Sequence, residues 1–189
     1  MNRRFRSAWI RRRTIVCLAV AALLLQACND QSRKRAPAPA VSPAVRTIQF
    51  RDGGRVTVER KGDDDEVNVE DAKGQLVSQS WCPVAFGSFD ATSALFRQLQ
   101  KAVAAGDKPA VAALMQYPLR VNGKSRLDIE SSADLLRRYQ KVFTADLIQQ
   151  ILAANPQVVF CRYDGNMFAD GAVWANNDNG RMAVYAINQ

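Results

Sequence analysis

Residues 89–121, FDATSALFRQLQKAVAAGDKPAVAALMQYPLRV, contain the change of hydrophobic period that decides the fold. Apolar residues recur every four positions from Leu95 to Val103, which is the spacing of one helix face. Asp90 or Thr92 is predicted to cap this helix, and Gly106 is predicted to end it. The stretch therefore begins as an amphipathic helix.

The second half of the same stretch turns from helix to strand. Asp107 is predicted to cap a second helix with Pro109 just inside its start, and this helix is expected to end near Gln116. Alternating residues then predict a strand over residues 117–121, followed by a turn at Asn122. The chain thus combines consecutive helices with a separate strand, which is typical of an α+β protein.

Two more helices and three more strands are predicted towards the carboxyl end. Ser131 or Ser132 is expected to cap the third helix, and Thr144 or Asp146 the fourth. The residues expected to face the core from these helices are Leu135, Leu136, Tyr139, Val142, Phe143, Leu147, Ile148, Ile151 and Leu152. Strands are predicted within residues 158–162, 171–174 and 182–187, joined by turns suited to antiparallel hairpins.

Residues 46–80 precede this region and alternate with period two between Gly- and Asp-rich turns. Such a pattern predicts a small antiparallel β meander with one apolar face. A segment of this size cannot bury that face by itself, so it must pack on residues 81–189 or on a partner. The predicted fold class is therefore α+β, with an N-terminal meander followed by helices on a sheet.

Three stretches of the second half share a further pattern: residues 111–121 (VAALMQYPLRV), 139–144 (YQKVFT) and 164–174 (DGNMFADGAVW). The pattern resembles small exported bacterial proteins and is similar to the cone-shaped α+β superfamily of nuclear transport factor two. The resemblance covers about residues 89–187 and implies helices packed on a curved antiparallel sheet. Its motifs are structural, and the fold serves enzymes, ligand binders and adaptors alike.

The amino-terminal segment, residues 1–27, has the layout of an export signal. Six arginines are followed by an apolar run of eleven residues, too short for a membrane-spanning helix. The sequence Leu-Gln-Ala before Cys28 resembles the lipobox of bacterial lipoproteins, which implies acylation of this cysteine and anchoring to a membrane. The alternative is a soluble secreted protein. The expected location is the cell envelope, facing the periplasm, with inner or outer membrane left open; residues 28–45 are predicted to form a Pro/Ala-rich tether.

The charge of the chain argues against a nucleic-acid partner. Its formal net charge is +8, but the excess lies in residues 1–35, since residues 36–189 carry 17 basic and 17 acidic side chains. The chain has no histidine, no Gly-rich phosphate loop and no nucleophile elbow. The sequence therefore predicts a protein without catalytic residues, metal site or cofactor.

Two cysteines are left once the signal and the anchor are set aside. Cys82 and Cys161 are expected to form a disulfide, because paired cysteines in an oxidising envelope usually do. A metal site or a catalytic thiol at this pair is disfavoured by the absence of histidine.

The densest acidic run is expected to be a solvated hairpin loop, with protein binding as its functional interpretation. The residues of this candidate partner-binding site are Asp63, Asp64, Asp65, Glu66 and Trp81. Trp81 is expected to seal the meander against the helical region or, if it is exposed, to anchor a partner.

The leading hypothesis is an envelope lipoprotein that binds a protein, more specifically an immunity or inhibitor protein that neutralises a periplasmic toxin or hydrolase. One alternative is a ligand-binding or enzymatic cone, with Tyr139, Asp164 and Trp174 lining its cavity. The other is a structural role in envelope assembly.

Overall fold

The computed structural model describes residues 44–189. The predicted signal peptide, Cys28 and the tether up to residue 43 lie outside the described residues. Within them the fold is α+β, as predicted: an antiparallel four-stranded sheet is followed by helices packed on a six-stranded sheet.

The first sheet is the predicted meander, with its strands in sequence order and each pair antiparallel. Its strands are β1 (Val45–Gln49), β2 (Arg55–Lys61), β3 (Asp64–Glu70) and β4 (Leu76–Pro83). The expected alternation is present, since Val56, Val58, Val67 and Val69 are buried on one face. The apolar face of the meander therefore belongs to the hydrophobic core of the protein.

The helices begin at well-defined capping residues. They are α1 (Val84–Gly87), α2 (Phe89–Ala104), α3 (Lys108–Ala113), α4 (Ser132–Arg137), α5 (Tyr139–Val142) and α6 (Ala145–Ala153). The side chains of Asp107, Ser131 and Thr144 accept hydrogen bonds from the first turns of α3, α4 and α6, which confirms three predicted caps.

The predicted cap of α2 was wrong. Ser88 occupies that position, and its hydroxyl accepts a hydrogen bond from the backbone N–H of Ala91. Thr92 is instead fully buried, and its hydroxyl oxygen accepts a hydrogen bond from the side-chain amide of Asn166 at 2.7 Å. Asp90 lies in the first turn of the helix and forms a salt bridge with Arg46 at 2.6 Å. Both residues bind partners that are distant in the sequence, so their local spacing did not reveal their roles.

The second sheet is mixed. Its strands are β5 (Met115–Asn122), β6 (Leu127–Ile129), β7 (Phe160–Arg162), β8 (Gly165–Phe168), β9 (Val173–Asp178) and β10 (Arg181–Asn188), in the order β6-β5-β10-β9-β8-β7. The family resemblance implied an antiparallel sheet, whereas β5 and β10 are parallel. Parallel strands require a long crossover connection, and the helices and hairpins between these two strands supply it.

Three further details differ from the sequence prediction. β8 lies where only a hairpin turn was expected, and α3 ends at Ala113 because β5 already begins at Met115. Leu136 and Leu152 were expected in the core but are 39% and 42% exposed. The burial of Leu135 and of Ile151 turns their immediate neighbours about 100° away from the core.

The hydrophobic core lies between the helices and both sheets. At its centre the rings of Phe96 from α2 and Phe168 from β8 stack with their centroids 4.6 Å apart. Both side chains are at most 1% exposed. The core thus joins the meander, the helices and the second sheet into one compact unit.

Candidate functional site

A disulfide positions the end of the meander. Cys82 on β4 and Cys161 on β7 are bonded, with their Cα atoms 4.8 Å apart, as the sequence predicted. β4 and β7 are the edge strands of the two sheets, so the bond ties one sheet to the other. Since Cys82 points into the core, the neighbouring Trp81 points to the opposite, outer face of the first sheet.

The acidic run does not form the solvated loop that was predicted. Only Asp63 lies in the turn, while Asp64, Asp65 and Glu66 belong to strand β3. The error arose because four consecutive charges suggested solvent exposure, whereas pairing of β3 with both neighbouring strands covers two of them. Asp65 and Glu66 point to opposite faces of the sheet and are 5% and 6% exposed.

Asp65 fastens the meander to helix α2. Its Oδ2 atom accepts a hydrogen bond from the backbone N–H of Phe89 at 3.0 Å, and its Oδ1 atom accepts one from Nε of Arg60 at 2.5 Å. The first bond satisfies an N–H group at the start of the helix, where a negative charge is favourable. Asp65 therefore has a structural role and is not available to a partner.

Glu66 lies on the outer face, beneath exposed side chains. It is paired with the ammonium group of Lys61, and its Oε1 atom accepts a hydrogen bond from Nε2 of Gln79 at 2.7 Å. The hydrogen bond from Lys61 lowers the pKa of the Glu66 carboxyl below its ordinary value of 4.5, partly opposed by burial, and Gln79 lowers it further. Hydrogen bonding to Glu66 raises the pKa of Lys61 in turn.

This lowered pKa predicts a contribution to acid stability. A carboxyl group whose pKa is lower in the folded state than in the unfolded state stabilises the fold at pH values above its unfolded pKa of 4.5. This stabilisation is lost as the pH falls through the folded pKa. We expect the free energy of unfolding of Glu66→Gln to fall less steeply below pH 4.5 than that of the wild type. Urea unfolding measured across this range checks the prediction. Lys61→Gln should reduce the slope as well, and an unchanged slope in both variants would contradict it.

A surface with exposed apolar side chains lies beside Glu66. We call Lys61, Asp63, Trp81, Val84 and Phe86 the Trp81 surface. The ammonium group of Lys61 lies 5.6 Å from the centroid of the Trp81 ring, and the backbone N–H of Val84 donates to the carbonyl of Asp63 at 3.0 Å. These contacts bring the β2–β3 turn and the end of β4 together.

The apolar members of the Trp81 surface are well exposed. Trp81 and Phe86 are each 43% exposed and Val84 is 40% exposed, although all three lie within six consecutive residues. Trp81 therefore does not seal the meander against the helices, which was one of its two expected roles. Exposed aromatic side chains surrounded by charges are typical of protein-interaction surfaces.

The local backbone holds the Trp81 surface in place. Gly62 has a φ of +64°, which a tight turn between β2 and β3 requires and glycine adopts without strain. The amide of Asn177 donates to the carbonyl of Ala85 at 3.2 Å, so α1 is also attached to the end of β9. The exposure of Val84 and Phe86 depends on tertiary packing and left no signal in the sequence.

The structure does not bring Tyr139, Asp164 and Trp174 around one cavity. Tyr139 is buried in α5 and stacks on Phe143 with the ring centroids 4.8 Å apart. Asp164 pairs with Arg162 at 3.2 Å in the β7–β8 turn. Trp174 is half-buried, and since its neighbours on β9 face the core, it points to the other side of the sheet.

The chain was compared with known proteins. No family model, no curated protein and no solved structure matches it. Within residues 44–189, no cluster of three His, Cys, Asp or Glu side chains is placed to hold a metal ion. None of the helices in the same part of the chain has the length and apolar character needed to cross a membrane.

Proposed function

We propose that this protein is an envelope lipoprotein, anchored through Cys28, that acts by binding another protein. In its more specific form, the proposal is an immunity or inhibitor protein that neutralises a toxin or hydrolase in the periplasm. The observation that carries protein binding is the Trp81 surface, where Trp81, Val84 and Phe86 are each at least 40% exposed within six consecutive residues. The anchor and the periplasmic location rest on the lipobox-like sequence before Cys28.

The Trp81 surface has the amino-acid composition of a binding hot spot. Tryptophan and other aromatic side chains contribute most of the binding energy at many interfaces, and surrounding polar residues exclude water from them. The backbone of Trp81 directly precedes the disulfide-bonded Cys82, and the ammonium group of Lys61 lies 5.6 Å from the centroid of its ring. A side chain that is fixed before binding loses less conformational entropy in the complex, which favours affinity.

The charges near the Trp81 surface favour selectivity for one partner. Asp63 and Asp64 are negative, and Lys61 is positive. Charges of both signs at the edge of an interface reward a complementary surface and penalise a mismatched one. This interpretation keeps Asp63 and Asp64 as partner-binding residues and assigns Asp65 to the fold.

The first experiment is an affinity capture with the anchored chain, using detergent-solubilised envelopes and the secreted toxins of the producing cell. The affinity of a captured stoichiometric partner is then measured for Trp81→Ala and Phe86→Ala. We expect each to weaken binding about 30-fold, equivalent to about 2 kcal/mol for an aromatic anchor. Leu152→Ala is the matched control, since Leu152 is equally exposed but lies on α6.

The measured affinities support or contradict the proposal as follows. A partner whose affinity falls in both aromatic variants and not in Leu152→Ala supports binding through the Trp81 surface. Inhibition of a captured toxin or hydrolase by the wild type supports the immunity or inhibitor role. A partner that is indifferent to Trp81 and Phe86 contradicts the assigned surface, and the absence of any stoichiometric partner contradicts protein binding itself.

A further inference from the structure

A second feature, distant from the Trp81 surface in the sequence, is a pocket of about 440 Å³ beside helices α3, α4 and α5. We define the basic pocket by the four cations that line it, namely Lys108, Arg137, Arg138 and Lys141. The remaining lining residues are Leu136, Tyr139 and Gln140, so the lining contains no acidic side chain. A concave site lined by four positive charges attracts anions.

The fold holds two of these cations side by side. The Oδ1 atom of Asp134 lies 3.0 Å from a terminal nitrogen of Arg137 and 3.1 Å from Nε of Arg138. Asp134 is buried, whereas the side chains of Arg137 and Arg138 are 69% and 46% exposed. One carboxylate thus orients two guanidinium groups but neutralises only one of their charges, and each group keeps N–H donors that do not bond to Asp134.

The two lysines complete the pocket from different elements. Lys108 at the start of α3 places its ammonium group 5.3 Å from the centroid of the Tyr139 ring, and Lys141 follows on α5. A cation near the carboxyl end of a helix interacts favourably with the helix dipole. This effect explains why Arg137 and Lys141 lie in the last turns of α4 and α5. It does not account for Lys108, which lies at an amino-terminal end and still faces the same pocket.

We propose that the basic pocket binds the phosphate group of an anionic phospholipid, so that the folded region lies against the membrane surface. Guanidinium groups bind phosphate oxygens through pairs of parallel hydrogen bonds, and lysines add positive charge. Leu136 lines the same pocket and is 39% exposed, so an apolar group adjoins the cations. A phospholipid, which carries acyl methylene groups close to its phosphate, matches this combination better than free phosphate does.

The choice of a lipid rests on the proposed anchor at Cys28, which would keep the folded region close to anionic headgroups. Each lysine or arginine near such a surface contributes to attraction, and the effect decays within a Debye length. The tether sequence also contains Arg33, Lys34 and Arg35, which favour the same surface. The anchor would attach the protein to the membrane, and the basic pocket would set the orientation of the folded region on the membrane surface.

The test uses the acylated full chain reconstituted into vesicles of phosphatidylcholine, with or without about 30% phosphatidylglycerol. Amide hydrogen exchange is measured for residues 132–142. We expect at least about tenfold slower exchange in this segment when phosphatidylglycerol is present, and loss of the difference in about 0.5 M NaCl. No dependence on phosphatidylglycerol overturns the proposal.

Two double variants test the assignment to the basic pocket. Lys108→Gln with Lys141→Gln removes two charges without disturbing the pairs of Asp134, and it should abolish the protection. Lys73→Gln with Lys101→Gln removes two exposed charges elsewhere and should retain it. If both double variants lose the protection, general charge attraction explains it and the pocket assignment is overturned. Matching unfolding curves of the three proteins establish that each remains folded.

A further measurement distinguishes the phosphate group of a lipid from free inorganic phosphate. Inorganic phosphate added to phosphatidylcholine vesicles should leave the exchange of residues 132–142 unchanged. The same protection by inorganic phosphate would overturn the lipid assignment in favour of a soluble phosphate ligand. Binding of the wild type to pure phosphatidylcholine vesicles tests the anchor independently of the basic pocket. A pocket that does not bind lipid is therefore distinguishable from an anchor that does not attach the protein.

Discussion

Replacing Cys82 or Cys161 by serine is expected to lower the free energy of unfolding by about 4 kcal/mol. The two cysteines are 79 residues apart in the sequence, so the disulfide removes much of the conformational freedom of the unfolded chain. It also joins the edge strands β4 and β7, between which no ladder of backbone hydrogen bonds is formed. Urea unfolding of each single variant and of the wild type measures the effect.

The controls for this prediction are the double variant and the reduced wild type. The two single variants should lose similar stability and the double variant should add little, because either change already opens the same bond. Reduction of the wild type should lower its stability by a similar amount. Clearly unequal single variants, or a reduced wild type as stable as the oxidised one, would contradict a stabilising disulfide.

Phe96→Ala is expected to lower the free energy of unfolding by about 4 kcal/mol. Phe96 is fully buried and stacks on Phe168 at a centroid distance of 4.6 Å, so its removal leaves a cavity at the centre of the core. Loss of the aromatic pair adds to the loss of apolar burial. Thermal and urea unfolding measure the change, and Phe168→Ala should show a similar loss.

Leu152→Ala is the matched control for Phe96→Ala. Leu152 also lies on a helix and has a large apolar side chain, but it is 42% exposed, so its truncation should cost about 0.5 kcal/mol. A double-mutant cycle of Phe96 and Phe168 should show coupling, because each residue forms part of the other's environment. Equal losses for Phe96→Ala and Leu152→Ala would show that the core is not packed around the aromatic pair.

The candidate interaction surface illustrates what sequence reasoning reached and what it missed. Trp81 and the acidic run were identified together, and the structure places Trp81 opposite Glu66 of that run on the neighbouring strand. The interpretation of the acidic run as a solvated loop was wrong for Asp65 and Glu66, which are buried on β3, and Asp65 accepts a hydrogen bond from the backbone of Phe89. A run of like charges predicts solvent exposure on average, but a strand sends consecutive side chains to opposite faces.

The sequence by itself determined the α+β class, the meander, three helix caps and the pairing of Cys82 with Cys161. These features depend on local periodicity, on side chains that bond to their own first turn, or on the small number of cysteines. The local signals were sufficient because each involves neighbouring residues or a single remaining partner.

The tertiary structure alone decided the features that combine distant residues. It made β5 and β10 parallel neighbours, paired Phe96 with Phe168 and brought Lys108 to the pocket lined by Arg137, Arg138 and Lys141. It also left Trp81 exposed while it buried Glu66 beside it. These outcomes depend on which surfaces the packed elements cover, and the free energy of that packing is shared among residues that no local pattern connects.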